Sequence, residues 1–333
     1  MNSAWADGYL TAQKKRELIH GGIAYLEKNQ KPDDGRWEHP QYSTAVTALS
    51  ALSIVGAGHM PNRGHYQETL TKAIDLLLSA QRKDGLIALP GEQRSMYGHG
   101  FSTLFLSQVF GMLGGMTGGM TQNQRIKNAL KSAVDLIVKS QNEKGGWYYE
   151  PFSSRDEGTI TIVQIQALRS CRDAGIVVPK ETIEKGLDYV KKSQYENGGI
   201  AYGVGPSGNA TSALTSAGMA VLFNAGEYEV TEVHARGFQY LDDQFKEFMK
   251  GSEKKELGDH FLYTHFYAAQ VYKQRGGFYR EDYFRAIEQA LVEQMKGGSR
   301  DIFWNIEEWP FYSTAMALLI LEMELEYLPI FTD

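Results

Sequence analysis

The chain has 333 residues, is 42% hydrophobic and carries a formal net charge of −6 with the two signs interspersed. That balance leaves no basic footprint for nucleic acid, and no apolar run reaches membrane-spanning length, residues 315–321 being the densest stretch. Cys171 is the single cysteine, which excludes intrachain disulfides. Residues 1–10 contain no apolar signal core, so a soluble chain, cytoplasmic by default, is expected; Ala4-Trp5-Ala6 keeps an exported, trimmed chain open.

One pattern then recurs along the chain. The first copy has Gly22-Ile23, Tyr25-Leu26, Gln30, Gly35 and Trp37, and the second has Ala73-Ile74, Leu76-Leu77, Gln81 and Asp84-Gly85-Leu86. The third has Ala133-Val134, Leu136-Ile137, Gln141 and Gly145-Gly146-Trp147. The fourth has Lys185-Gly186, Tyr189-Val190, Gln194 and Gly198-Gly199-Ile200. The fifth keeps Gly237-Phe238 and Tyr240-Leu241 but puts Phe245 in the Gln slot, and the sixth keeps Ala286-Ile287, Gln294 and a more distant Trp304. The anchors at 30, 81, 141, 194, 245 and 294 lie 49 to 60 residues apart. A period near 50 means one supersecondary unit per copy, stacked because no copy buries its apolar face alone.

Each copy reads as a helical hairpin. Upstream of the Gln slot, residues such as Leu130, Ala133, Val134, Ile137 and Val138 share one face at helical spacing. Gly and Asp or Asn after the Gln end that helix. Second helices are predicted over 43–55, 101–113, 159–172, 210–223, 263–272 and 311–325; they are apolar on most sides and should form an inner ring inside the charged first helices. Neither end of the array is polar enough to cap an open solenoid, so the ring should close. The expected fold is an all-α (α/α)6 toroid over residues 15–330, with a tail over 1–14, adjacent termini, a mobile Gly/Met-rich connection over 111–120 and the most irregular connection at 251–257.

The run at 185–200 resembles the Gln-Trp repeat of squalene and oxidosqualene cyclases, whose toroid is shared by protein prenyltransferase β-subunits. The resemblance covers practically the whole chain and argues fold rather than activity. A Gln amide at an outer-helix C-terminus can bond free backbone groups, and the Trp can pack across layers.

In such a toroid the inner-helix N-termini converge on one mouth of the central cavity, where free N–H groups favour anionic groups. The candidate lining is Tyr42 and Ser43; Tyr97 and His99; Asp156 and Glu157; Asn209 and Thr211; Asp259, His260, Tyr263 and His265; and Glu307, Glu308, Trp309 and Tyr312. Helix capping is the competing explanation for each acid. Trp304 joins the substrate-binding candidates as the Trp of the last repeat.

What the resemblance implies about chemistry can be matched residue by residue. The prenyltransferase zinc site would need Asp, Cys and His; Asp259 fits the Asp slot, but Phe261 and Ser313 stand in the other two. The diphosphate-binding His has no match in Gly208-Asn209-Ala210-Thr211, and Lys254 and Lys255 match its cations only loosely. No metal and no cofactor are therefore expected. The protonating cyclases use Asp-x-Asp-Asp-Thr; here Arg155-Asp156-Glu157-Gly158-Thr159 fills the pattern, with Glu157 in the proton-donor slot and Arg155 and Gly158 replacing the flanking acids. An arginine next door should favour ionised Glu157. Pro90-Gly91-Glu92-Gln93 has Pro where a thioester domain has Cys.

The leading expectation is a squalene cyclase-like protein that binds or transforms an isoprenoid or other apolar ligand, with Glu157 and Asp156 as catalytic acids. The alternatives are a toroid lyase or hydrolase acting on a carbohydrate polymer, and a non-catalytic scaffold. A sealed apolar cavity favours the first, an open groove with exposed aromatics the second, and a filled centre the third.

Overall fold

A computed structural model describes residues 5–6, 9–113, 120–205, 208–224, 231–250, 260–298 and 301–331. Among these the outer helices are α1 (Ala12–Asn29), α3 (Gln67–Ser79), α5 (Met120–Ser140), α7 (Lys180–Lys192), α9 (Glu232–Met249) and α11 (Gly277–Gln294). The inner helices are α2 (Ser43–Gly56), α4 (Met96–Leu113), α6 (Gly158–Asp173), α8 (Ser212–Asn224), α10 (Phe261–Arg275) and α12 (Pro310–Glu322). Each inner helix packs on the next, and α12 packs on α2, so the ring is closed. The expected (α/α)6 toroid is the observed fold.

The inner helices are apolar all round because both of their sides are covered. In α2 every residue from Thr44 to Gly56 is buried. The helix α4 starts earlier than expected, at Met96, because two glycines let its first turn approach its neighbours. A Cβ at Gly98 would lie 2.8 Å from Thr44, and one at Gly100 would lie 2.4 Å from Val163. At the other end of the chain, α12 stops at Glu322 rather than at 325.

The repeated Gln is a staple between consecutive outer helices. Gln30 Nε2 donates to Gly35 O (2.8 Å) in its own turn and to Thr69 O (2.9 Å) in the next outer helix. Gln81 does the same with Gly85 and Ala129, Gln141 with Gly145 and Thr182, and Gln194 with Gly198 and Val233. Each amide thus ties its own turn to a carbonyl of the next outer helix, which accepts it on a second lone pair. The Trp carries the second link. Trp37, Trp147 and Trp304 donate Nε1–H to Leu26, Ile137 and Leu291 carbonyls at 2.7–2.8 Å. Their backbone N–H groups are capped in turn by Thr47, Thr161 and Thr314 hydroxyls of the inner helices.

Two short ribbons interrupt the helices and were not expected from the sequence. β1 (Trp5–Ala6) pairs with β2 (Tyr9–Leu10), and β3 (Lys296–Gly298) pairs with β4 (Asp301–Phe303), both antiparallel. The second ribbon replaces the helix-ending turn of the sixth repeat, which explains the distant Trp304. It packs against α1 and helps to seal the ring. Lys15 of α1 reinforces that seam by pairing with Glu288 of α11 and, at 3.0 Å, with Glu324. The helix α1 therefore begins inside the stretch read as a tail. The connections expected to be mobile (111–120) and irregular (251–257) fall largely or wholly outside the described residues. No described helix is long and apolar enough to cross a membrane.

Candidate active site

The segment entering α6 is held from both sides. Glu157 N donates to Trp147 O at 2.8 Å, and Gly158 N donates to Tyr202 O at 2.8 Å. Gly158 is required there, since a Cβ would lie 2.8 Å from Leu214. This places the Glu157 carboxyl at the N-terminus of α6, 6% exposed, where Oε2 accepts from Ile160 N (2.9 Å) and from the Thr159 hydroxyl (2.5 Å). The Tyr97 hydroxyl meets Thr159 Oγ1 at 2.5 Å, which links Tyr97 to Glu157 through one hydroxyl. Oε1 is buried and has no hydrogen-bond partner among the described residues.

Burial pushes the Glu157 carboxyl above the usual carboxylate range, against the opposing pull of the Thr159 and Ile160 bonds and the Arg94 charge. The cation that acts on this acid is Arg94, rather than the neighbouring Arg155 that the sequence pointed to. The Arg155 guanidinium lies 4.2 Å over the Tyr148 ring and is exposed, so it turns away from the carboxyl. Phenols surround the acid: burial, with Glu157 adding to it, raises Tyr97 well above its usual value and pushes Tyr149 up to about 12.

Asp156 next door has a different environment. Oδ1 accepts from the Tyr189 hydroxyl at 2.8 Å, and Oδ2 pairs with Lys144 Nζ at 3.1 Å and with Asn142 Nδ2 at 3.3 Å. Its oxygens are engaged in fixing the loop. Both acids border an open cleft of about 260 Å³, also lined by Tyr148, Tyr149, Arg155, Lys144 and Tyr202. Tyr202 is 39% exposed. The cleft walls are mixed, with phenols, cations, an acid pair and Val204 contributing polar and apolar surface alike.

Deeper in the ring, Tyr263 and Tyr267 of α10 pack together at 4.9 Å. The Tyr263 hydroxyl is buried beside Tyr267, and burial, with Glu307, Tyr267 and Tyr97 adding to it, raises the Tyr312 phenol well above its usual value. Below them Tyr267 donates to Gln166 Oε1 (3.1 Å), and Gln166 Nε2 donates to Gln270 Oε1 (3.2 Å). Those bonds join α6 to α10, two places apart in the ring, so a polar bridge crosses the centre beneath the tyrosines.

Several expected site residues do other work. His99 is fully buried; its Nδ1 accepts from Ile87 N at 3.1 Å, and its other nitrogen faces Ala133 O at 3.3 Å. It occupies the slot that threonine fills in repeats one, three and six, and burial lowers its pKa to about 4. His265 sits behind α10 among Phe245, Phe248 and Phe261, with Nδ1 2.8 Å from the Tyr283 hydroxyl. Trp304 is likewise buried in its layer contact, away from the mouth. His260 is exposed, with left-handed φ of 61° at the start of α10. Trp309 is at the rim, 40% exposed, and Asp259 lies outside the described residues. Among the described residues no group of three or more potential ligands gathers to hold a metal ion.

Capping explains part of the acid enrichment at the mouth. Glu92 caps α2 at Thr44 N (2.7 Å), Glu157 caps α6, and Glu307 caps α10 at Leu262 N (3.0 Å). Sequence reading missed Arg94, Lys144, Tyr148, Tyr149 and Tyr202. The signal was a Tyr pair directly after Trp147, within a turn already known to face the inner-helix starts.

No protein-family model matches the chain, and no curated protein sequence matches it. Solved structures do. A cellobiose 2-epimerase from Bacillus thermoamylovorans aligns with a TM-score of 0.67 at 11% identity, over 94% of this chain and 98% of that one. An inactive variant of an alpha-1,6-mannanase from Salegentibacter sp., in complex with alpha-1,6-mannotriose, gives 0.64 at 8% identity over 92% and 98%. A variant of the type II terpene cyclase MstE from Scytonema, in complex with geranylgeranyl dihydroxybenzoate, gives 0.60 at 15% identity over 96% and 100%. The chain thus has the α/α toroid fold seen in the epimerase, the mannanase and the terpene cyclase.

Proposed function

We propose that the protein is an acid–base enzyme acting on a carbohydrate chain, with Glu157 as the general acid. The observation that carries this reading is the free, buried Oε1 of Glu157 beside an open cleft walled by phenols and cations. A carboxyl whose pKa is raised by burial holds its proton nearer neutral pH, which suits protonation of the departing glycosidic oxygen while water adds to the anomeric carbon and releases its own proton to solvent. Tyr97, coupled through Thr159, orients that proton, and Tyr149 and Tyr202 offer hydroxyls to a polyhydroxylated ligand. Asp156 acts as a positioning residue that fixes the loop through Tyr189 and Lys144.

The isoprenoid reading draws on the same fold, and the similar solved structures include both ligand classes, so they do not choose between them. Two features of the site weigh against it. Alkene protonation needs a stronger acid than a carboxyl with a raised pKa, and the cleft is open rather than sealed. The deciding experiment incubates the protein with a panel of plant, algal and microbial polysaccharides and, separately, with polyprenyl substrates, and follows products by mass spectrometry. Release of oligosaccharides that Glu157→Gln abolishes supports the proposal. Turnover of polyprenyl substrates alone, or a stoichiometric co-purifying lipid, would replace it with the apolar reading.

A further inference from the structure

The rings around the mouth extend the reading of Glu157, on which this inference rests. Starting at the N-terminus of α12, Trp309 packs on His39 with ring centres 4.2 Å apart, and His39 packs on Tyr42 at 5.2 Å. Tyr42 meets Tyr97 edge-on at 5.9 Å, Tyr97 meets Tyr149 at 6.1 Å, and Tyr149 meets Tyr148 at 4.7 Å. These rings come from the starts of α12, α2 and α4 and from the turn before α6. They therefore follow the rim as one unbroken arc and end in the cleft beside Glu157. All six are half-buried or exposed.

Packing alone does not account for the outer end of the arc, because a Trp309 ring left 40% exposed forgoes part of the burial that normally stabilises it. Polar groups are interleaved with the faces. His39 Nδ1 accepts from both Gln41 N and Tyr42 N at 3.1 Å, which fixes the ring proton on Nε2 and makes that nitrogen a donor. Arg94 lies 4.6 Å over Tyr149 and donates to the Tyr42 hydroxyl at 3.4 Å, placing further N–H groups along the arc. Ring faces alternating with donors complement a chain of pyranose rings, which have apolar faces and hydroxyl edges. A hydrocarbon laid on the arc would desolvate the donors and leave them unpaired.

We propose that this arc is a track for a linear oligosaccharide, with its reacting end at Glu157 and a distal subsite formed by Trp309 and His39. The enzyme would then select its ligand by chain length.

Trp309 gives a readout in a Trp5→Phe background, since Trp37, Trp147 and Trp304 are fully buried while Trp309 is 40% exposed. The test uses the Glu157→Gln protein, to prevent turnover, and linear oligosaccharides from disaccharide to hexasaccharide, cut from whichever polysaccharide of the panel the wild type degrades or binds. Calorimetry and tryptophan fluorescence are read together. The expected result is an affinity rising by about tenfold or more from the shortest to the longest ligand, with a change in Trp309 emission only for the longer chains. Trp309→Ala should bring that long-to-short ratio close to one, and Trp309→Phe, which keeps a platform, should restore most of it. Unchanged circular dichroism would show that both variants fold. Binding that is independent of length, or a ratio unaffected by Trp309→Ala, would overturn the track while leaving Glu157 as the acid. Failure of every glycan in the panel to bind or react would sink the carbohydrate reading itself, and the track with it.

Discussion

The Tyr189 hydroxyl donates to Asp156 Oδ1 at 2.8 Å, and this bond gives two adjacent acids opposite roles. Asp156 is also paired with Lys144, so it is a charged strut. Glu157, one residue on, keeps an oxygen with no partner among the described residues. Tyr189→Phe should therefore cost about 1–3 kcal/mol, because it strips a partner from a nearly buried carboxylate. In a double-mutant cycle with Asp156→Asn the two changes should couple by about 1 kcal/mol in urea unfolding. Strict additivity would show that the bond does not matter.

Glu157→Gln tests the acid without removing the cap, since the amide oxygen can still accept from Ile160 N. Burial raises the carboxyl pKa in the folded protein, so wild-type folding favours the protonated form. That contribution is full below the ordinary carboxylate pKa and is lost as pH rises through the raised value. The wild type should lose more stability over this window than the Gln variant, which keeps only the contributions of other buried acids such as Glu322. Melting temperatures at a series of pH values decide it; parallel curves would mean that Glu157 is not the titrating group.

Glu322 shows the same sign more strongly. It is 1% exposed, both of its oxygens lack partners among the described residues, and burial alone pushes its pKa well above the usual range. It faces Gly56 across the α12–α2 seam, where a Cβ would lie 2.4 Å from Oε2. Glu322→Met should stabilise the protein at alkaline pH by about 1–3 kcal/mol, by removing an unpaired buried acid. Its advantage should shrink as pH falls through the raised value to the ordinary carboxylate pKa, and change no further below it. Denaturant titrations at acid and alkaline pH check both halves, and a destabilised variant at alkaline pH would refute the assignment.

His99 titrates in the opposite direction. Its pKa is lowered to about 4, so the stability tied to its neutral form is present above the ordinary histidine value and is lost as pH falls toward about 4. His99→Thr installs the residue that repeats one, three and six use to cap the same backbone position. The variant should show a flatter acid limb in its stability profile and unchanged ligand affinity. A large loss of ligand affinity in a correctly folded variant would return His99 to the site.

The staples predict a graded effect. Gln141→Ala removes two bonds, to the Gly145 and Thr182 carbonyls, and should cost about 1–3 kcal/mol. The fifth repeat already has Phe245 in that slot, so Phe245→Ala should cost through lost packing instead. Hydrogen exchange should show the Gln141 change opening the α5–α7 contact locally; protection lost evenly round the ring would argue against a local staple.

The periodic Gln and Gly-Trp positions sufficed for the ring, because each serves a local need: an amide to tie one turn to the next outer helix, a turn, a ring to bridge two layers. Those needs lie within one repeat and its successor, so they leave a trace at fixed spacing. The inner–outer distinction was legible for the same reason, as it depends on which side of each helix meets water. Glu157 was legible by its place at an inner-helix start, and Trp309 and Tyr97 likewise. What separated Glu157 from Asp156, and His99 and His265 from the mouth, was decided in three dimensions. Burial and hydrogen-bond partners come from residues far apart in the chain, as with Tyr97 on Thr159, Tyr189 on Asp156 and Tyr283 on His265. A charge neighbouring in sequence, Arg155, turned out to point elsewhere, because an exposed guanidinium gains more by lying over Tyr148 than by entering a desolvated pocket. The aromatic arc is likewise a product of ring closure, since only the contact of α12 with α2 brings Trp309 beside His39.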